Sequence, residues 1–112
     1  TSMLMVRSGA RLVFVRTEQI DWIESEDYYA RVHVGATSYL VREPMSGLEA
    51  RLDPRQFVRV HRSAIVNVAR VSEIHPDAKG HEVLRLVDGT LLRMSRGRRT
   101  QLERMFRHDS RA

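Results

Sequence analysis

The chain has 112 residues, 42% of them hydrophobic and 29% charged, with a formal charge of +5 and no cysteine. That length suits one ordinary domain; the polarity balance excludes a disordered chain, and the absent thiols exclude disulfides, thiolate metal sites and a cysteine nucleophile, as in a reducing cytosol. Of 19 Lys and Arg side chains only Lys79 is lysine, and arginine's planar fork suits phosphate and guanine edges where an ammonium is a point charge. Nucleic acid is therefore a candidate partner, set against the plainer reading of a solvated basic surface. No stretch approaches the roughly 18 apolar residues of a membrane span. Thr1-Ser2-Met3 has no signal-peptide layout and reads as a vector remnant, which predicts a domain cut from a longer protein.

Strand signals dominate the chain order. Met3–Arg7 and Arg11–Arg16 are apolar runs split by Ser8-Gly9, and Ile20–Glu24 brings Trp22 between two isoleucines. Tyr28–Val34 alternates, with Tyr28, Ala30, Val32 and Val34 on a core face and Tyr29, Arg31 and His33 opposite. Gly35-Ala36 leads into a further strand, Thr37–Arg42. Pro44 then opens a helix, at whose first position proline is tolerated, with Met45, Leu48 and Leu52 on one face, and Asp53-Pro54 closes it. Phe57–His61, Ile65–Val68 and Val71–His75 are extended, and Pro76-Asp77 with Gly80 makes a loop. Val83–Val87 and Thr90–Met94 flank Asp88-Gly89, a strong hairpin signal. From Arg98, the residues Leu102, Met105 and Phe106 form a short helical stripe that frays into the polar tail. The pattern predicts a mostly β fold of antiparallel sheets, sandwich-like, with one or two short helices.

Three clusters carry candidate chemistry. Between two apolar strands stands His61-Arg62-Ser63, whose many donors need solvent or a ligand, the alternative being an ordinary solvated loop. Met94-Ser95-Arg96-Gly97-Arg98-Arg99 places three guanidinium groups at a strand-to-helix junction. Arginine in a first helical turn opposes the helix dipole unless an anion is present. Ser25 to Arg31 forms a turn in which Tyr29 and Arg31 share a face. Catalytic readings are poor: His33, His61, His75, His81 and His108 lack metal-ligand spacing, and Ser63 with His61 is too local a pair for a nucleophile and its base. No catalytic residue, metal or cofactor is expected.

In these segments the chain resembles the LytTR family, the LytR/AlgR-type DNA-binding domains of bacterial response regulators. The resemblance covers about residues 12–104. It rests on Ile20-Asp21-Trp22-Ile23-Glu24-Ser25, Tyr28 through His33, the Met45–Leu52 helix, Phe57 through Asn67, and Leu86-Val87-Asp88-Gly89 followed by Met94-Ser95-Arg96. It implies an elongated fold of several antiparallel sheets, with loops instead of a recognition helix entering successive major grooves of duplex DNA. The DNA-facing positions it implies are Tyr29, Arg31, Arg59, His61, Arg62, Ser63, Ser95, Arg96, Arg98 and Arg99. Arg62 and one of Arg96, Arg98 or Arg99 would read base edges, while Arg31 and Arg59 would hold phosphates. Asn67 is expected to be structural. Gly97 and Ala30 depart from positions where relatives carry side chains able to reach a base.

The implied protein is a bacterial cytoplasmic transcription regulator of a two-component system, with this single domain as its C-terminal output behind a receiver or sensor domain. Direct-repeat promoter sites bound by a dimer are expected, with the isolated fragment monomeric. The rival readings are an RNA- or protein-binding β module using the same arginines and, less favoured, a small metal-independent hydrolase.

Overall fold

Ten strands and two α-helices run through residues 2–107, the part of the chain described by this computed structural model; Thr1, His108 and the tail after Arg107 lie outside it. The strands β1 (Met3–Ser8) and β2 (Arg11–Arg16) form a hairpin. The central sheet has the order β5-β4-β3-β7-β6, built from β3 (Trp22–Glu26), β4 (Tyr29–Val34), β5 (Thr37–Val41), β6 (Phe57–His61) and β7 (Ala64–Asn67). A third sheet, β10-β9-β8, contains β8 (Val71–Pro76), β9 (Glu82–Leu86) and β10 (Leu91–Arg93). All pairings are antiparallel. The helices are α1 (Met45–Arg51) and α2 (Arg98–Phe106). Principal extents of 44 × 34 × 24 Å make the molecule elongated, and the layered, mostly antiparallel β architecture is the one expected.

The central sheet is a wall between two cores. On one face Ile23, Ala30, Val32, Phe57 and Ile65 pack against Leu4, Val6 and Val15 of the hairpin and Met45 and Leu48 of α1. On the other, Val58, Val60, Ala64 and Val66 meet Leu84 and Leu86 of β9, Leu102 of α2, and Met94 just after β10. A strand covered on both faces has no solvent side on which to place polar residues, and all four positions of β7 are buried accordingly.

Asn67 is the polar member of that strand, 1% exposed. Its Nδ2 donates to the Ile20 carbonyl at 2.8 Å, and its Oδ1 accepts from the Ala69 N–H at 3.0 Å, capping a 3₁₀ turn at Val68–Arg70. The structural role expected for it is the one observed. Asn67→Ala removes both partners, and an orphaned buried group costs about 1–3 kcal/mol. Urea denaturation should show a loss in that range; a change below about 0.5 kcal/mol, typical of surface sites, would mean that water substitutes for the amide.

Two local expectations are corrected. The alternation of Ala30 and Val32, extended backwards, puts Tyr28 on the core face, yet it is 86% exposed while those two are fully buried. The strand begins only at Tyr29, and Asp27 before it has a left-handed φ of 57°. The chain is turning there, so the two-residue period does not reach Tyr28. Pro44 precedes α1 as its N-cap, with ψ 151°, instead of occupying the first helical position.

Candidate nucleic-acid interface

Register decides which loops meet. Val34 pairs with Thr37 and Ala30 with Val41, so the far end of β5 lies beside the start of β4. Ser25 pairs with Ala30, and Glu24 with both Arg31 and Ala64, so the β3–β4 and β6–β7 turns leave the sheet at that same end. A backbone bond from the Ser25 N–H to the Ser63 carbonyl, 2.9 Å, ties the two turns together.

The third cluster joins through an irregularity in β6. Pairing slips between Arg59 and His61, so Val60 takes no part in the β6–β7 register. Its carbonyl instead accepts the Ser95 N–H at 2.7 Å. Arg62 is two residues from one end of that bond and Arg96 one residue from the other. At about 3.8 Å per residue their Cα atoms lie within roughly 18 Å. The bond thus brings the bends that carry the two arginines close together.

Pairing separates the basic residues into two groups. The exposed side chains of Arg62 and Arg96 make no hydrogen bond or ion pair among the described residues. The other four candidate arginines are engaged. The guanidinium of Arg31 grips Glu26 through Nε at 2.8 Å and Nη2 at 3.0 Å, and Nη1 donates to Ser38 Oγ at 3.0 Å. Arg59 is largely covered: Nη2 donates to the Arg62 carbonyl at 2.6 Å, Nη1 reaches Glu49 at 3.4 Å, and its buried Nε has no partner among the described residues. Arg98 donates to Gln101 at 3.0 Å. Arg99 bonds Glu82 at 2.6 Å and lies 3.8 Å from Glu103; the Glu82 hydrogen bond first, and the Glu103 charge after it, raise the guanidinium pKa above its ordinary value. Those carboxylates supply the negative charge that the first turn of α2 calls for.

His61 closes its turn by accepting. The Ser63 N–H lies 3.2 Å from His61 Nδ1, with Ser63 Oγ at 2.8 Å. An Nδ1 that accepts from a backbone N–H leaves the ring proton on Nε2, so the ring is a turn cap; no carboxylate orients it among the described residues. Gly97, the N-cap of α2, has a φ of 88°, where a side chain is strained. That backbone need explains the departure at Gly97, and Ala30, fully buried in the first core, faces away from the turns.

Two residues outside the expected set also reach this end. Tyr28, Tyr29 and Arg42 line a shallow cleft with Asp27, and Arg42 is exposed without an acidic partner among the described residues. Arg42 was legible in principle. Counting the hairpin out from Gly35 places it opposite Tyr29, one step past the Ala30–Val41 pair.

The Glu26–Arg31 pair makes the β3–β4 turn acid-sensitive. Arg31 holds the Glu26 carboxyl below its ordinary value of 4.5. A depressed folded value contributes stability above the unfolded one, lost as pH falls through the folded one. Thermal melts between about pH 6 and pH 3 should show a smaller acid-side decline in melting temperature for Glu26→Gln than for wild type. Equal declines would show the pair to be fully screened.

The described residues contain no group of three or more His, Cys, Asp or Glu side chains able to hold a metal, and none of their helices is long and apolar enough to cross a membrane. What this end offers is an antiparallel scaffold whose bends present unpaired guanidinium groups, the equipment of a nucleic-acid-binding β domain. The LytTr DNA-binding domain family matches residues 10–107, and the chain belongs to that family. It is 35% identical over 95 residues to the CO-responsive transcriptional regulator RcoM of Rhodospirillum rubrum, covering 84% of this chain and 40% of that protein. Against the sensory transduction protein LytT of Bacillus subtilis it is 30% identical over 103 residues, 92% of this chain and 43% of the relative. The chain thus spans less than half the length of these curated relatives. A solved LytTr DNA-binding domain from Bacillus cereus superposes with a TM-score of 0.78 over 95% of this chain and 97% of that one, at 21% identity.

Proposed function

We propose that this end of the molecule binds duplex DNA sequence-specifically, with Arg62 and Arg96 reading base edges. The observation that carries the proposal is the pair of backbone bonds, Ser25 to Ser63 and Ser95 to Val60, which gathers three bends while leaving those two arginines unpaired. Neighbouring strands lie about 4.8 Å apart, so the row from β5 to the Ser95 junction beyond β6 is roughly 24 Å wide. Extended arginines at its limits bring it close to the ~34 Å between successive major grooves on one face of DNA. The free guanidinium at Arg96, against the engaged ones at Arg98 and Arg99, assigns the second base-reading role to Arg96.

The other site residues support these two. Arg59 and His61 hold the backbone of the β6–β7 turn, and Ser63 and Ser95 carry the bonds that join the bends. Arg31 stiffens the β3–β4 turn, so its contribution and that of Arg59 come through shape more than through phosphate contact. Arg98 and Arg99 shape the start of α2, and the Tyr29 phenol offers a donor to the DNA backbone.

In this reading the domain catalyses nothing and is the output module of a longer bacterial regulator, governed by a receiver or sensor domain and paired on direct-repeat sites. Selection of binding sites from random duplexes tests it: an enriched, spaced motif is expected. Structured RNA or heparin competing as well as the selected duplex at physiological salt would overturn it in favour of a general polyanion or RNA surface.

A further inference from the structure

We propose that Arg42, flanked by Tyr28 and Tyr29, is a phosphate grip that anchors the outer end of the interface beside the β3–β4 turn. The proposal rests on the DNA-binding reading above and adds a contact that the sequence motifs do not contain. Arg42 lies one residue beyond β5, the edge strand on the side of the central sheet away from β6. It therefore stands at the opposite end of the row from Arg96. Three or four strand spacings, about 14–19 Å, separate it from the β6–β7 turn that carries Arg62.

Charge around Arg42 favours an anion from outside. The neighbouring Glu43 is already held by Arg51, with Nη1 at 2.8 and 2.9 Å from its two oxygens. Glu26 is likewise taken by Arg31. Arg42 makes no ion pair among the described residues, even with Asp27 at the mouth of the same cleft, and two tyrosines line that cleft with it, Tyr28 86% exposed. Guanidinium and phenol groups are common donors to phosphate oxygens.

Asp27 sets where that phosphate can lie. Its carboxylate is exposed at the tip of the β3–β4 turn and has no cationic partner among the described residues. A phosphate over the tip would meet a like charge at short range. The tip consequently sits over a groove, with the strand backbone displaced to its β5 side, where Arg42 waits. A phosphate held there fixes register without carrying sequence information.

The test uses the whole chain and a duplex recovered by selection, with single phosphates replaced in turn by neutral methylphosphonates. Wild type should weaken at one flanking position that becomes silent in Arg42→Ala, while all other positions keep their effects. Arg42→Ala should bind every sequence several-fold more weakly, with a salt slope shallower by about 0.9, and Arg42→Lys should restore the slope. Unchanged affinity and slope in Arg42→Ala, with base preference still lost in Arg62→Ala, would overturn the grip and leave the DNA-binding reading intact. A changed base preference in Arg42→Ala would also overturn it, making Arg42 a reader of sequence. Failure of wild type to select any duplex would overturn both readings.

Discussion

Arg62→Ala should lose discrimination at one base pair of the selected site while folding as wild type does. A bidentate arginine–guanine contact discriminates by about 1–3 kcal/mol, roughly five- to 150-fold in relative affinity. The change should be confined to one position, because a side chain reaching into a groove meets one or two base edges. Stability should move by less than about 0.5 kcal/mol, since an exposed side chain without partners holds nothing together. Competition among single-position variants of the duplex reads the first effect and urea denaturation the second. If Arg62→Ala ranked every variant as wild type does, Arg62 would be a phosphate contact and the base-reading role would have to move to another bend. Arg59→Ala is the informative companion. It frees the Arg62 carbonyl and loosens the turn, so it should weaken selectivity as well as overall affinity, unlike the loss of a plain phosphate contact.

Ile65→Ala should be among the most damaging single substitutions to the scaffold. Ile65 is fully buried on β7 between Ile23 of β3 and Arg59 of β6, in the core shared with the hairpin and α1. Truncating a buried isoleucine to alanine costs about 2–5 kcal/mol, the upper end applying where the surroundings cannot collapse. A domain of this size has roughly 5–15 kcal/mol in total, so a substantial share of its stability would go. The denaturant midpoint should fall with an unchanged slope. A loss under about 1 kcal/mol would show that the two sides of the sheet relax independently of its centre.

Most of the scaffold could be read from the chain, because turn signals pinned the strands. Gly35 marks a hairpin whose register follows by counting outward, whereas at Asp88-Gly89 the pairing is one residue off that count, Leu91 opposite Arg85, because the loop takes in Val87 as well; the valines of β6 announce a buried face. The helix at Met45 was visible from the spacing of Met45, Leu48 and Leu52, all of which are buried. The reading failed at Tyr28, where a strand period was carried into a turn. Harder to see was the division of labour among arginines. Glu82 is 17 residues from Arg99 and Glu49 ten from Arg59, so no local pattern marks these guanidinium groups as occupied. Only the folded register shows that Arg31, Arg59 and Arg99 are paired within the domain while the Arg62 and Arg96 side chains remain available. The slip in β6 that releases the Val60 carbonyl is equally silent in sequence, since a single unpaired residue leaves the alternation of neighbours almost undisturbed.

The residues proposed to touch DNA and the residues that fill the two cores form separate sets. Selection acting on what the domain recognises can therefore exchange side chains at the bends without reopening the problem of how it folds. One durable frame of this kind can serve a whole lineage of regulators, each addressing its own promoters.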